Sequence, residues 1–116
     1  MVKRDGLYYL LYSCNYFRNI DYAVGYATAT SSMGPWTKYA GNPILSRANT
    51  GWNGTGHGDL FEGKGGQLYY VLHTHHSNTS ARGQRRTGIV KVAFTKTKPA
   101  MLTVDKESFH FLTIAK

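Results

Sequence analysis

The sequence predicts an all-β chain made of repeated strand–turn–strand units, and three observations carry that prediction. Nine Tyr and thirteen Gly among 116 residues favour aromatic strands joined by tight turns. No long segment carries apolar residues at a period of 3.6, so extended helices are not expected. One block also occurs twice: Leu7-Tyr8-Tyr9-Leu10-Leu11-Tyr12-Ser13 aligns with Leu68-Tyr69-Tyr70-Val71-Leu72-His73-Thr74, at an offset of 61 from Leu7 to Leu68. A strand–loop–strand unit returning at this period suggests a solenoid or the four-stranded blades of a β-propeller. A sandwich or jelly roll shares the same local ingredients.

The elements follow in order. "RDG" at residues 4–6 is a turn signature that delivers the chain into the first strand, from Leu7 to Ser13. Along it Tyr8, Leu10 and Tyr12 share one face and Leu7, Tyr9 and Leu11 the other. Both faces are apolar or aromatic, which predicts a strand covered on both sides, as in stacked blades. "DYAVGYATAT" at 21–30 reads as its partner. Turn signals at Gly34-Pro35 and Asn42-Pro43 follow, with Trp36, Ile44 and Leu45 as packing residues between and beyond them. "GKGG" at 63–66 turns the chain into the second copy of the aromatic strand, and "TGIVKVAFTK" at 87–96 repeats the partner strand. The expected organisation is a single partial propeller domain over 1–116. It has a first blade-like unit at 1–45, a second at 54–97, and the start of a further blade at 98–116.

Composition excludes some functions. No apolar run is long enough for a membrane-spanning helix, and the apolar stretch after "VKRDG" is too short and Tyr-rich for a signal peptide. A single cysteine, Cys14, rules out an intrachain disulfide and reads as a small buried side chain. The formal charge of +8 raises the question of nucleic acid. The basic residues are spread out apart from Arg82, Arg85 and Arg86, and no nucleic-acid motif accompanies them, so a basic nucleic-acid binder stands only as the lesser alternative. Asn53 and Asn78 begin glycosylation-type triplets, which by themselves carry little.

Several blocks are similar, together and in order, to glycoside hydrolase family 43. "RDGLYYLLYSCNYFRNIDYAVGYATATSSMGPWTKYAGNPIL" resembles a central blade of that family, "GTGHGDLFEGKGGQLYYVLHTHH" the next blade, and "RRTGIVKVAF" its later strand. The resemblance implies part of a five-bladed propeller, about two blades plus the start of a third. It also implies an inverting glycosidase chemistry on arabinose- or xylose-containing saccharides. Such chemistry uses separated carboxylates with room for a water between them. The family's two Asp and its acid Glu fall before the stretch that matches Met1 onward. The resemblance therefore implies a chain inactive on its own, completed by N-terminal blades or by self-association. A non-catalytic carbohydrate-binding or structural fragment is the alternative.

Residue by residue, the resemblance assigns His57 in "GTGHGD" to the propeller axis, where it contacts the sugar site or a metal, often calcium. Histidine is an unusual calcium ligand, since that ion prefers oxygen. Arg85 matches a sugar-contacting arginine, with Arg86 the match if the register slips by one. Among the chain's own acids, Asp21 and Asp59 are the best placed. His73 and His75, two apart on a strand, have zinc-like spacing but no evident third ligand. The simpler reading is that His73 packs where the first repeat has Tyr12. Tyr16, Phe17 and Trp52 are either stacking platforms for sugar rings or loop anchors.

Overall fold

A computed structural model describes residues 1–78 and 80–113, with the side chains of residues 80–83 outside the description. The chain forms two four-stranded antiparallel sheets. In the first, β1 (Val2–Arg4), β2 (Leu7–Cys14), β3 (Ala23–Ala29) and β4 (Thr37–Lys38) lie side by side in chain order. In the second, β5 (Gly56–Glu62), β6 (Leu68–Ser77), β7 (Ser80–Phe94) and β8 (Leu102–Phe111) do the same. A one-turn helix, α1 (Arg47–Thr50), sits between the sheets in sequence. Ser46 caps it by accepting from the Ala48 amide, and the Asn49 side chain accepts from the Ser46 amide in return.

The local chemistry explains these strands. Asp5 and Gly6 both take positive φ, which turns β1 tightly into β2. The Asn42 side chain does the work of an edge strand: its Oδ1 accepts from the Tyr26 amide and its Nδ2 donates to the Tyr26 carbonyl and to the Tyr12 hydroxyl. Ile44 and Leu45 bond the backbone of Val24 and are buried, as their apolar character predicts. Trp36 is only half-buried.

The two copies of the repeat meet in a shared core. Tyr9, Tyr70 and Leu72 belong to it together with Val24, Tyr26, Leu45, Val90, Val92 and Leu102. Leu7, Leu11 and Leu68 pack against the same cluster. On β2 only Tyr9 is fully buried; Leu7, Tyr8, Leu10, Leu11 and Tyr12 are half-buried, with Leu7 and Leu11 packed against the shared core.

One boundary needs correction. The segment 98–116, expected to start a further blade, instead completes the second sheet, because β8 pairs with β7 from Phe94↔Leu102 to Gly88↔Phe111. Leu102 and Val104 follow Val90 and Val92 onto the buried face, so the apolar pattern of the tail is satisfied within the second sheet. Residues 114–116 lie outside the described residues.

Candidate functional site

Three segments converge at one end of the molecule: the end of β2, the start of β5 and the far end of β6. The Gly-rich approach to β5 makes this possible. Gly54 has φ 71°, and a Cβ there would overlap the His75 ring, so only glycine lets the backbone lie across that side chain. His57 follows with φ 49°, an uncommon conformation for a non-glycine residue, and its amide donates to Ser13 Oγ at 2.7 Å. A bulge between Gly56 and Asp59 frees this turn from the ladder with β6.

The result is an open depression of about 380 Å³ lined by His57, Asp59, Val71, His73 and Thr87. The His57 and His73 rings lie 5.3 Å apart, and the Tyr22 ring is 6.2 Å from His73. His73 Nδ1 is buried and makes no hydrogen bond. Burial lowers the His73 pKa, with His57, Arg85 and His75 adding in the same direction. Below about pH 6.5, the ordinary histidine value, the unfolded chain therefore binds more protons here than the folded one. Stability attributable to neutral His73 is complete above that pH and falls as acidification proceeds toward the lowered folded-state pKa. Melting temperatures measured between pH 7.5 and 5 should decline, and the decline should flatten in His73→Asn.

Arg85 stands directly opposite His75 on β7, and its charge reaches His73. Arg86 is engaged elsewhere. Its guanidinium lies 3.5 Å from the Phe111 ring centroid and 5.0 Å from that of Trp52, an aromatic clamp that joins the β5 approach to β8. Trp52 is thus an anchor, edge-on to Phe111 at 4.8 Å. The Arg82 side chain lies outside the described residues, and Arg85 and Arg86 sit beside different groups, His75 and the Trp52–Phe111 pair respectively.

His75 does not join His73 at a metal. It is fully buried, and its Nε2 donates to the Phe17 carbonyl at 2.9 Å. A carbonyl only accepts, so Nε2 carries a proton, and Nδ1 is buried without a hydrogen-bond partner. Among the described residues no three His, Cys, Asp or Glu side chains gather to hold a metal ion. Calcium needs six to eight oxygens; around His57 this chain offers the Asp59 carboxylate, whose Oδ1 already accepts from the Leu60 amide. The residues present do not by themselves fit that ion.

All six acids are exposed. Asp21 pairs with Arg47 at 2.7 Å and lines a separate depression, so it does not meet Asp59. Asp5 lies near Arg4, Asp105 accepts from the Glu107 amide, and Glu62 ends β5 far along the strand from His57. Cys14 is half-buried, and burial raises its thiol pKa. Packing logic alone did not single out His73 as a lining residue. The available signal was a histidine standing where the first repeat has a tyrosine.

Comparison with known proteins bears on this geometry. The model of glycosyl hydrolases family 43 matches residues 1–98. A beta-D-galactofuranosidase of Aspergillus niger is 33% identical over 96 residues, which is 83% of this chain and 28% of that protein. The crystal structure of an endo-1,4-beta-xylanase from Bacteroides thetaiotaomicron superposes with a TM-score of 0.81 at 41% identity, covering 90% of this chain and 35% of that one. A thermostable family-43 glycoside hydrolase gives 0.81 at 40% identity over 90% of this chain and 33% of the other. The chain spans about a third of the length of these relatives. A family match running from the first strand through β7, on sheets that superpose this well, leaves one assignment: the chain belongs to glycosyl hydrolases family 43.

Proposed function

We propose that the chain is the part of a pentose-directed glycosidase that holds and orients the sugar, and that the acid–base carboxylates are supplied from outside it. In this reading the two sheets are adjacent blades of a five-bladed propeller. His57 and Arg85 contact the saccharide, and His73, kept neutral by burial, backs His57. A calcium ion near His57 would take most of its oxygens from other blades. Family membership and the xylanase likeness support a xylan- or arabinan-type substrate.

The observation that carries the reading is that only one of the six acids, Asp59, lines the His57 depression. Inversion needs two carboxyl groups about 6.5–9.5 Å apart across a water. Both proton transfers of the inverting scheme are made by carboxyl groups, and this depression offers one of the two.

The test is hydrolysis of nitrophenyl arabinofuranoside and nitrophenyl xyloside by the purified chain, alongside calorimetric titration with arabinose and xylose. Binding without turnover is expected, weakened by His57→Ala and by Arg85→Ala. Turnover that disappears in Asp59→Asn would show that the chain has its own carboxylate chemistry and would overturn the proposal.

A further inference from the structure

We propose a second saccharide subsite on the loop between β2 and β3, where Tyr16 and Phe17 form a platform for a sugar ring of a chain whose end occupies the His57 depression. This rests on the glycosidase reading above and extends it from one sugar to a polymer.

The first argument is exposure. Tyr16 is 58% exposed and Phe17 45%, with their ring centroids 4.8 Å apart and planes at 57°. Two adjacent aromatic rings open to water present an apolar surface that a ligand can cover. A tilted pair makes a shallow corner, suited to the face and edge of a puckered sugar ring, whose axial C–H groups meet the negative ring face. The Arg18 guanidinium sits 5.5 Å from the Phe17 ring centroid, which places hydrogen-bond donors for hydroxyl groups beside the apolar surface.

The second argument is order. The loop is held at several points. Asn15 Nδ2 donates to the Asp21 carbonyl at 2.7 Å, and the Asp21 amide donates to Asn19 Oδ1. Asn19 closes a turn onto the Tyr16 carbonyl, and Gly54 donates to the Ile20 carbonyl. Phe17 itself is fixed from below by buried His75. Rigid aromatics lose little entropy on binding, so the platform is organised before the ligand arrives.

The third argument is continuity. His75, which holds Phe17, is two residues along β6 from His73, whose ring faces His57. Ser13, one residue before the end of β2, bonds the His57 amide. The loop and the depression therefore share one end of the molecule and one set of supports. In this proposal a neutral pentose chain leaving the depression runs on toward Phe17 and Tyr16. His75 is here a positioning residue, acting through the Phe17 carbonyl.

The experiment is calorimetric titration of the chain with arabinose, xylose and their linear oligosaccharides of two to six units. The same series is run on Tyr16→Ala/Phe17→Ala and on the milder Tyr16→Ser and Phe17→Leu, with circular dichroism confirming the fold. Affinity of the unaltered chain should rise with oligosaccharide length, and the double variant should lose about tenfold for the hexamer with monosaccharide affinity unchanged. Equal affinity of the unaltered chain for short and long ligands, or an undiminished length effect in the variants, would overturn the platform and leave the glycosidase reading standing. No binding of any saccharide would overturn both. Concentration-dependent self-association lost in the variants, without a change in saccharide affinity, would assign the rings to a contact between copies and overturn the subsite.

Discussion

Tyr9→Ala is expected to lower the unfolding free energy by about 3–5 kcal/mol, the range for removing a large aromatic from a core. Tyr9 is fully buried, and its ring touches both sheets: Tyr26 at 5.9 Å between centroids in the first and Phe94 at 4.9 Å, edge-on, in the second. Its hydroxyl donates to the Ala100 carbonyl, ninety-one residues away in sequence. One side chain therefore fills the inter-sheet space and closes a long-range polar contact. With total stability of order 5–15 kcal/mol for a domain of this kind, the loss would bring the chain close to unfolding. Tyr9→Phe separates the two contributions. It keeps the ring and leaves Ala100 without its donor, and should cost roughly 1–3 kcal/mol. Urea titrations of the three proteins, with midpoints compared at constant slope, would check this. A Tyr9→Ala midpoint matching the parent would mean that the two sheets do not depend on this contact.

The second large effect is expected at Gly58. Its φ is ordinary, so backbone strain is not the issue. A Cβ there would overlap the Val71 carbonyl oxygen and lie 2.8 Å from Cε1 of the Tyr70 ring. The obstacle is backbone on one side and a fully buried tyrosine on the other, neither of which can swing away. Burial raises the Tyr70 hydroxyl pKa to about 12, with the Gly58 amide hydrogen bond pulling the other way. Moving that ring would disturb a buried polar contact as well as the packing. Gly58→Ala should cost at least about 1–3 kcal/mol, as overpacking does, and should push His57 and Asp59 away from His73. Gly65→Ala is the contrasting case: its φ is 73° and nothing lies within 4 Å, so only the left-handed backbone opposes it, at about 1 kcal/mol. Thermal melts and the His57 and His73 ring resonances, followed through both variants, would distinguish the two mechanisms. Equal and small effects would show that the β5 bulge yields more easily than its contacts imply.

Much of the strand layout was legible in the residues. The doubled aromatic block, the Gly turns at residues 6 and 63–66, and the apolar pair Ile44-Leu45 all lie where local chemistry puts them. Local preference acts over a few residues, and strands and tight turns are set largely at that range. The tail misled because an apolar alternating segment says that it will be a strand but not which sheet it will join. Its pairing with β7 depends on the buried face already built by Val90 and Val92.

The site divides in the same way. The sequence by itself determined the family likeness, the glycines flanking His57, and the choice of His57 and Arg85 as candidates. Tertiary structure alone decided how neighbours in sequence part company. Arg86 leaves Arg85 for Trp52 and Phe111, His75 leaves His73 for the Phe17 carbonyl, and Asp21 leaves Asp59 for Arg47. Each choice depends on partners tens of residues away. A charge or an imidazole can be read from one position, but its environment exists only once the two sheets have closed on their shared core.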